Sequence, residues 1–250
     1  MEWITLVTSY LGDPASWRGP NGLGLRLGEH VGLSLLAIVL AVVVTVPVAI
    51  LLGHVGKGGG LAIALGNIGR AVPVLALIAL FFLLPAPLGA NDVSVVLALA
   101  LFSVPPLLIN TYVGMRGVDA ATVDAARGMG MSARQLVTRV EVPLAAPLIF
   151  TGIRLAALQT IATASVAGIV GGPGLGRIVS EGFTVQDPSR YLSGALLIAV
   201  LALAAEALLA LLQRRADPAR RSRGRRDRTP DPDTRPDADA DVGPVGSTAI

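Results

Sequence analysis

The chain has 250 residues, 53% of them hydrophobic and only 15% charged, with a formal net charge of +3. That balance excludes an ordinary soluble domain, and the absence of cysteine excludes a disulfide framework, a thiol nucleophile and a cysteine-based metal site. Between Val31 and Met115 only Lys57, Arg70 and Asp92 carry formal charge, the pattern of a chain that crosses a bilayer.

Residues 1–28 are mixed in character and read as an extracytoplasmic N-terminal segment. Glu2 precedes any base and no compact basic n-region follows, so a cleavable signal peptide fits poorly. A helix needs ~20 apolar residues to cross a bilayer. Val31 to Leu52 meets this without a charge, and Pro47 is expected to kink it. The only histidines, His30 and His54, lie near the ends of that run and read as interface residues rather than metal ligands. Gly53 to Gly60 is glycine-rich but lacks the Gly-Lys-Ser/Thr ending of a phosphate loop, and reads as a tight turn.

Ala71 to Leu84 is short alone. It contains Pro73 and reaches spanning length only with Leu61 to Arg70, which puts Asn67 and Arg70 near one end. Val93 to Met115 is a third span, interrupted by Pro105-Pro106 and carrying Asn110. Ala145 to Val170 is a fourth, with Arg154 and Gln159, and Tyr191 to Leu212 a fifth, with Glu206 near its end. The fold class is therefore all-α integral membrane, with about five transmembrane helices across residues 29–213. Residues 214–250 run from an arginine cluster into aspartates with interspersed prolines, and such a segment buries too little apolar surface to order itself. The arginines read as a topology anchor, not as a nucleic-acid site.

Lysine and arginine fall mainly in the link between spans one and two, the link between three and four, and the tail. The N-terminus is then outside and the C-terminus inside. On the inside lies "DAARGMGMSARQLVTRVEVP", Asp124 to Pro143. Val118, Thr122, Ala125, Ala126 and Met129 share one helical face, and Leu136, Val137 and Val140 a second. Gly128 and Gly130 stand between them, where positive φ ends a helix and turns the chain. Ser132 with Gln135 three residues on is a capping box, and Pro143 marks the stop of the second helix. Small Ala125 and Ala126 admit another surface, with Asp124, Arg127 and Arg134 at its rim. Physical reasoning alone leaves two readings open, a docking element for a partner or a loop helix resting on the membrane.

The stretch resembles the EAA loop of ABC-transporter permeases of the type I importer class: Asp124-Ala125-Ala126, then Gly130, then Val140, Glu141 and Val142-Pro143, with Asp for the usual Glu. With "RAVPVLALIAL", "NTYVGMRGVD" and "GGPGLGRIVSEG" it is similar to the osmoprotectant subfamily that handles glycine betaine, carnitine and choline. The resemblance implies a separate ATPase subunit docking on Asp124, Ala125, Ala126, Arg127, Gly128, Gly130 and Pro143, an extracytoplasmic binding protein, and a second permease copy or paralogue. It implies that ATP is hydrolysed by the partner, with no cofactor, metal or catalytic residue on this chain.

Candidates for the translocation path are Asn67, Pro73, Asn110, Gln159 and Glu206, since polar groups in spans face protein or water; the polar ones serve equally well as hydrogen-bonding groups between helices. Arg70 and Arg154 are expected to snorkel to the boundary. Gly171 to Gly176 reads as the outer turn after span four. The few aromatic residues in the spans form no cage pattern, so selection falls to the binding protein. Two further readings remain open: the same architecture importing another small solute such as an amino acid, and a non-ABC carrier or scaffold.

Overall fold

A computed structural model of the chain describes residues 2–89 and 92–216, without the side chains of 61, 68, 70 and 214–216. The remainder of the expected tail, and the Arg70 side chain, lie outside the described residues. Those residues are helical, with no strand among them.

Helix α1 (Glu2–Gly12) and a 3-10 turn (Pro14–Trp17) precede the first long helix. Asp13 caps the turn, and the Trp17 indole donates to the Leu11 carbonyl at 2.8 Å, folding it back on α1. Helix α2 runs from Leu23 to Val55, beginning before the apolar run and passing through Pro47. Its buried positions Ser34, Ala37, Ala41, Thr45, Ala49 and Gly53 recur at steps of three and four and are all small. Helices in lipid gain nothing from burying apolar surface against each other, so such a stripe works by admitting a neighbour's backbone closely. The opposite face exposes Leu35, Leu36, Val39, Val43 and Val44, the side suited to acyl chains.

The neighbour is α5 (Asp92–Arg116), the central helix and the most buried of the long ones. The interruption expected at Pro105-Pro106 does not occur, and α5 continues through both. Pro105 and Pro106 are buried in a packed environment, with Gly69 and Gly152 allowing neighbouring helices to lie against them. Asn110 Nδ2 donates to the Pro106 carbonyl at 2.8 Å, one turn back in the same helix.

The region expected as the second span is two helices, α3 (Gly59–Ala71) and α4 (Val74–Phe82), parted at Val72 and Pro73. Pro73 is exposed and caps α4; a proline drives its preceding residue out of the helical region, and no packing holds the chain straight here. Helix α3 runs antiparallel along α5, with Gly59 against Tyr112, Gly66 against Ile109 and Gly69 against Pro105. Glycine at Gly56 (φ 71°) and Gly58 (φ 85°) makes the turn between α2 and α3.

After α6 (Ala120–Gly128) and α7 (Ala133–Leu136), a π turn (Val137–Glu141) leads directly into α8 (Val142–Ala164). The expected stop at Pro143 is therefore overturned. Pro143 sits in the first turn of α8, after the widened π turn, where its missing N–H breaks no regular bond. Helix α8 ends in a 3-10 turn (Ser165–Val170), and α9 (Leu175–Thr184) and α10 (Pro188–Ala216) complete the described chain. Among the described residues, four stretches are long and apolar enough to cross a membrane: Leu23–Val55, Asp92–Arg116, Ala133–Val170 and Pro188–Gln213.

Polar contacts fix the directions. His30, near the start of α2, bonds to Ile161 near the end of α8, and His54, near the end of α2, bonds to Glu141 just before α8 begins. The two helices are antiparallel. Between α5 and α8 the Ser103 and Thr160 hydroxyls meet at 2.6 Å in the interior, one donating to the other.

Candidate functional site

The segment from Asp119 to Pro143 folds as a bent pair of helices. Asp119 caps α6, accepting from the Thr122 hydroxyl at 2.9 Å and the Thr122 N–H at 3.0 Å. These bonds, the hydroxyl first, hold its carboxyl below the usual carboxylate range. Gly128 is the last residue of α6 rather than part of the turn; Met129 and Gly130 (φ 81°) reverse the chain. Ser132 then starts α7 with both halves of a capping box, Gln135 N–H to Ser132 Oγ and Ser132 N–H to Gln135 Oε1.

Ala126 is buried between the two arms, while Ala125 faces outward and Met129 stands 72% exposed. Asp119, Thr122, Ala125, Ala126, Met131 and Val140 line an open hollow of about 460 Å³. Asp124 and Arg127 pair at 3.6 Å across one helical turn, both largely in solvent. An exposed pair of this kind contributes little to stability, so both charges are free for a partner. A bent, capped, solvent-facing hairpin with a small-residue face is suited to docking, and it is continuous with the membrane-crossing α8.

Charge pattern did not single out Glu141. Its side chain is buried, 5% exposed, and accepts from His54 Nδ1 at 2.7 Å. At the other end His30 is 1% exposed and its Nε2 donates to the Ile161 carbonyl at 2.9 Å, which sets the tautomer. Beside it Glu29 accepts from Arg26 and from the Gly174 N–H, each at 2.9 Å, tying the turn between α8 and α9 to α2. Neither histidine is the simple interface residue expected. Only partners far along the chain reveal these roles, and no local pattern signals them.

The translocation candidates separate. Gln159 lines a groove of about 480 Å³ with Gly69, Pro105, Pro106, Leu155, Leu158 and Ala162. Asn67 is exposed on α3, and Pro73 stands at the α3–α4 break. Asn110 is bonded within its own helix. Glu206 is paired with Arg154 across α8 and α10, and Gln213 adds a contact to Arg154 at 3.4 Å. Arg154 thus reaches a carboxylate instead of snorkelling, because an intramembrane charge is stabilised most by an opposite one nearby. Glu206→Leu should strip Arg154 of its counterion and lower membrane abundance, whereas Glu206→Leu with Arg154→Leu should recover most of it. Quantitative immunoblots of membranes and melting in detergent check this; equal loss in single and double variants would count against the pair.

Long apolar helices around a central α5, with a charged hairpin built into the start of α8, define a polytopic helical membrane protein. Residues 45–218 match the family described as binding-protein-dependent transport system inner membrane component. The chain belongs to that family, and it is the permease subunit of an ABC importer, a multi-pass protein of the bacterial inner membrane. It is 38% identical over 191 residues to the choline transport system permease protein OpuBB of Bacillus subtilis (strain 168), covering 76% of this chain and 87% of that one. It is 36% identical over 193 residues to the glycine betaine/carnitine/choline transport system permease protein OpuCB of the same organism, covering 77% and 88%. The carnitine transport permease protein OpuCB of Listeria monocytogenes is 37% identical over 198 residues, covering 79% and 89%. Among solved structures, the fold matches the inward-facing MetNI methionine ABC transporter with a TM-score of 0.68 at 18% identity, covering 76% of this chain and 94% of that one. Permeases of this family are transport subunits and work with an ATPase partner.

Proposed function

We propose that the chain imports a quaternary-ammonium osmoprotectant of the choline, glycine betaine or carnitine kind, and that Asp124, Ala125, Ala126, Arg127, Gly128, Gly130 and Pro143 couple it to its ATPase. The observation that carries the coupling is the hairpin bent at Gly130 and running without a break into α8. A push on α6 and α7 is then delivered along a membrane helix. The substrate class is supported by the names of relatives at 36–38% identity.

In this reading the hairpin is cytoplasmic, α3 and α4 together make the fifth crossing, and the N-terminal segment is outside. The groove at Gln159, with Asn67 on the same α3 as Gly69, faces the path, and Pro73 marks its break. Asn110 and Glu206 serve helix packing. A second permease copy or paralogue completes the pore, and an extracytoplasmic binding protein selects the solute.

The test is uptake by proteoliposomes carrying the permease, its ATPase and its binding protein. ATP-dependent accumulation of choline, glycine betaine or carnitine is expected; accumulation of an amino acid in their place would overturn the substrate class. The chain has no cysteine, so single cysteines report cleanly. One at Ser132 should resist an impermeant thiol reagent in intact cells, and one at Asp187 should react.

A further inference from the structure

Both histidines of the chain tie α2 to α8, one at each end. At the outer end the His30 ring, almost fully buried, donates to Ile161, and the adjacent Glu29 holds the Gly174 N–H. At the hairpin end His54 holds Glu141. Glu141 belongs to the π turn, whose extra residue rotates the helix face: Thr138 and Arg139 are exposed while Glu141 is buried against α2. A carboxylate is costly to bury without a partner, so the placement has meaning only through His54. Between the two ends α2 presents small residues, and Val46 and Ile50 pack against the cluster of Met115, Ala145 and Ile149.

We propose that His30 and His54 clamp α2 to α8 so that the two helices move as one body, with the His54–Glu141 contact receiving the motion of the hairpin. A force applied at α6 and α7 reaches α8 through the backbone. It reaches α2 at that end through this part-buried imidazole–carboxylate bond, the polar link there beside the apolar packing of Ile50. His54 and Glu141 are positioning residues: they touch neither ATP nor solute, and they convert a push on one helix into displacement of two. The inference rests on the permease reading above.

The experiment uses the reconstituted complex and reads solute taken up per ATP hydrolysed. His54→Ala should lower that ratio by about 2- to 30-fold, the range found when coupling networks are perturbed, while ATP hydrolysis continues. His54→Asn keeps an N–H donor near Nδ1 and should retain most of the ratio, which a general loss of folding would not allow. The decisive variant carries His54→Cys and Glu141→Cys in a chain otherwise free of cysteine. Joined by a short bis-methanethiosulfonate, the two helices should transport as the wild type does, because these positions never part in the cycle. Reduction should return the low ratio of His54→Ala. Transport blocked by complete cross-linking, or an unchanged ratio in His54→Ala, would overturn the clamp. A wild-type complex that takes up no osmoprotectant would instead overturn the permease reading, so the two failures are distinguishable.

Discussion

Gly130→Val is expected to leave the protein in the membrane at near-normal levels and to abolish most substrate-stimulated ATP hydrolysis. Gly130 has φ 81°, and a Cβ there meets nothing within 4 Å. The penalty is therefore purely backbone, about 1–2 kcal/mol for an L residue held left-handed and more for a β-branched one. That is small against the burial of the long membrane helices. It is enough to open the angle between α6 and α7 and move Ala125 away from the surface proposed to receive it. Gly128 supplies the internal control. It lies in the last turn of α6, also with open space around it, and its φ is not positive. Gly128→Ala should be neutral to stability or stabilising by up to about 1 kcal/mol, so any loss of coupling there reports the added methyl at the partner's surface and not backbone strain. Asp124→Lys should lower coupling by reversing an exposed charge, and Asp124→Glu should be mild. Wild-type stimulation in both Gly130→Val and Asp124→Lys would reduce the hairpin to a tether.

Gly168→Val and Gly176→Val should be the most destabilising single changes at the end opposite the hairpin. A Cβ on Gly168 would run into the backbone of Gly176 and Arg177, and one on Gly176 into the backbone of Ser165. No rotamer change relieves a clash with backbone, so the 3-10 turn and α9 must separate, at a cost of about 3 kcal/mol or more. Detergent-extracted variants should show broad, aggregated elution in size-exclusion chromatography and early melting. Gly171 (φ 80°) has open space, so Gly171→Ala carries only the backbone term of about 1 kcal/mol and should elute normally. Well-folded Gly168→Val would mean that the 3-10 turn and α9 are not packed against each other as described.

The hairpin was readable because its signals are local. A Ser–Gln capping box, a glycine past the end of a helix and a small-residue face each act within a few residues, and each recurs in the structure at Ser132, Gly130 and Ala126. The membrane class was readable because a bilayer demands long uncharged runs whatever the helices pack against. The groove at Gln159 was reachable only as one of several polar candidates, since sequence spacing does not say which face of α8 meets α3 and α5.

Proline separates what local sequence determined from what tertiary structure decided. Pro73, Pro105, Pro106 and Pro143 carry the same local message: a missing donor and a constrained neighbour. Exposed Pro73 obeys it and parts α3 from α4. Pro105 and Pro106, buried in the central helix beside Gly69 and Gly152, do not. Pro143 is carried through by the π turn before it. The same holds for charge. Sequence alone determined that His30, His54, Glu141, Arg154 and Glu206 lie in or beside the spans. Only the packing of α2 and α10 on α8 decided that each has a partner, since His54 meets Glu141 across 87 residues and Arg154 meets Glu206 across 52. The physical reason is reach: capping and periodicity act within one or two helical turns, whereas a proline's strain or a charge's desolvation is settled by whatever the fold brings alongside it.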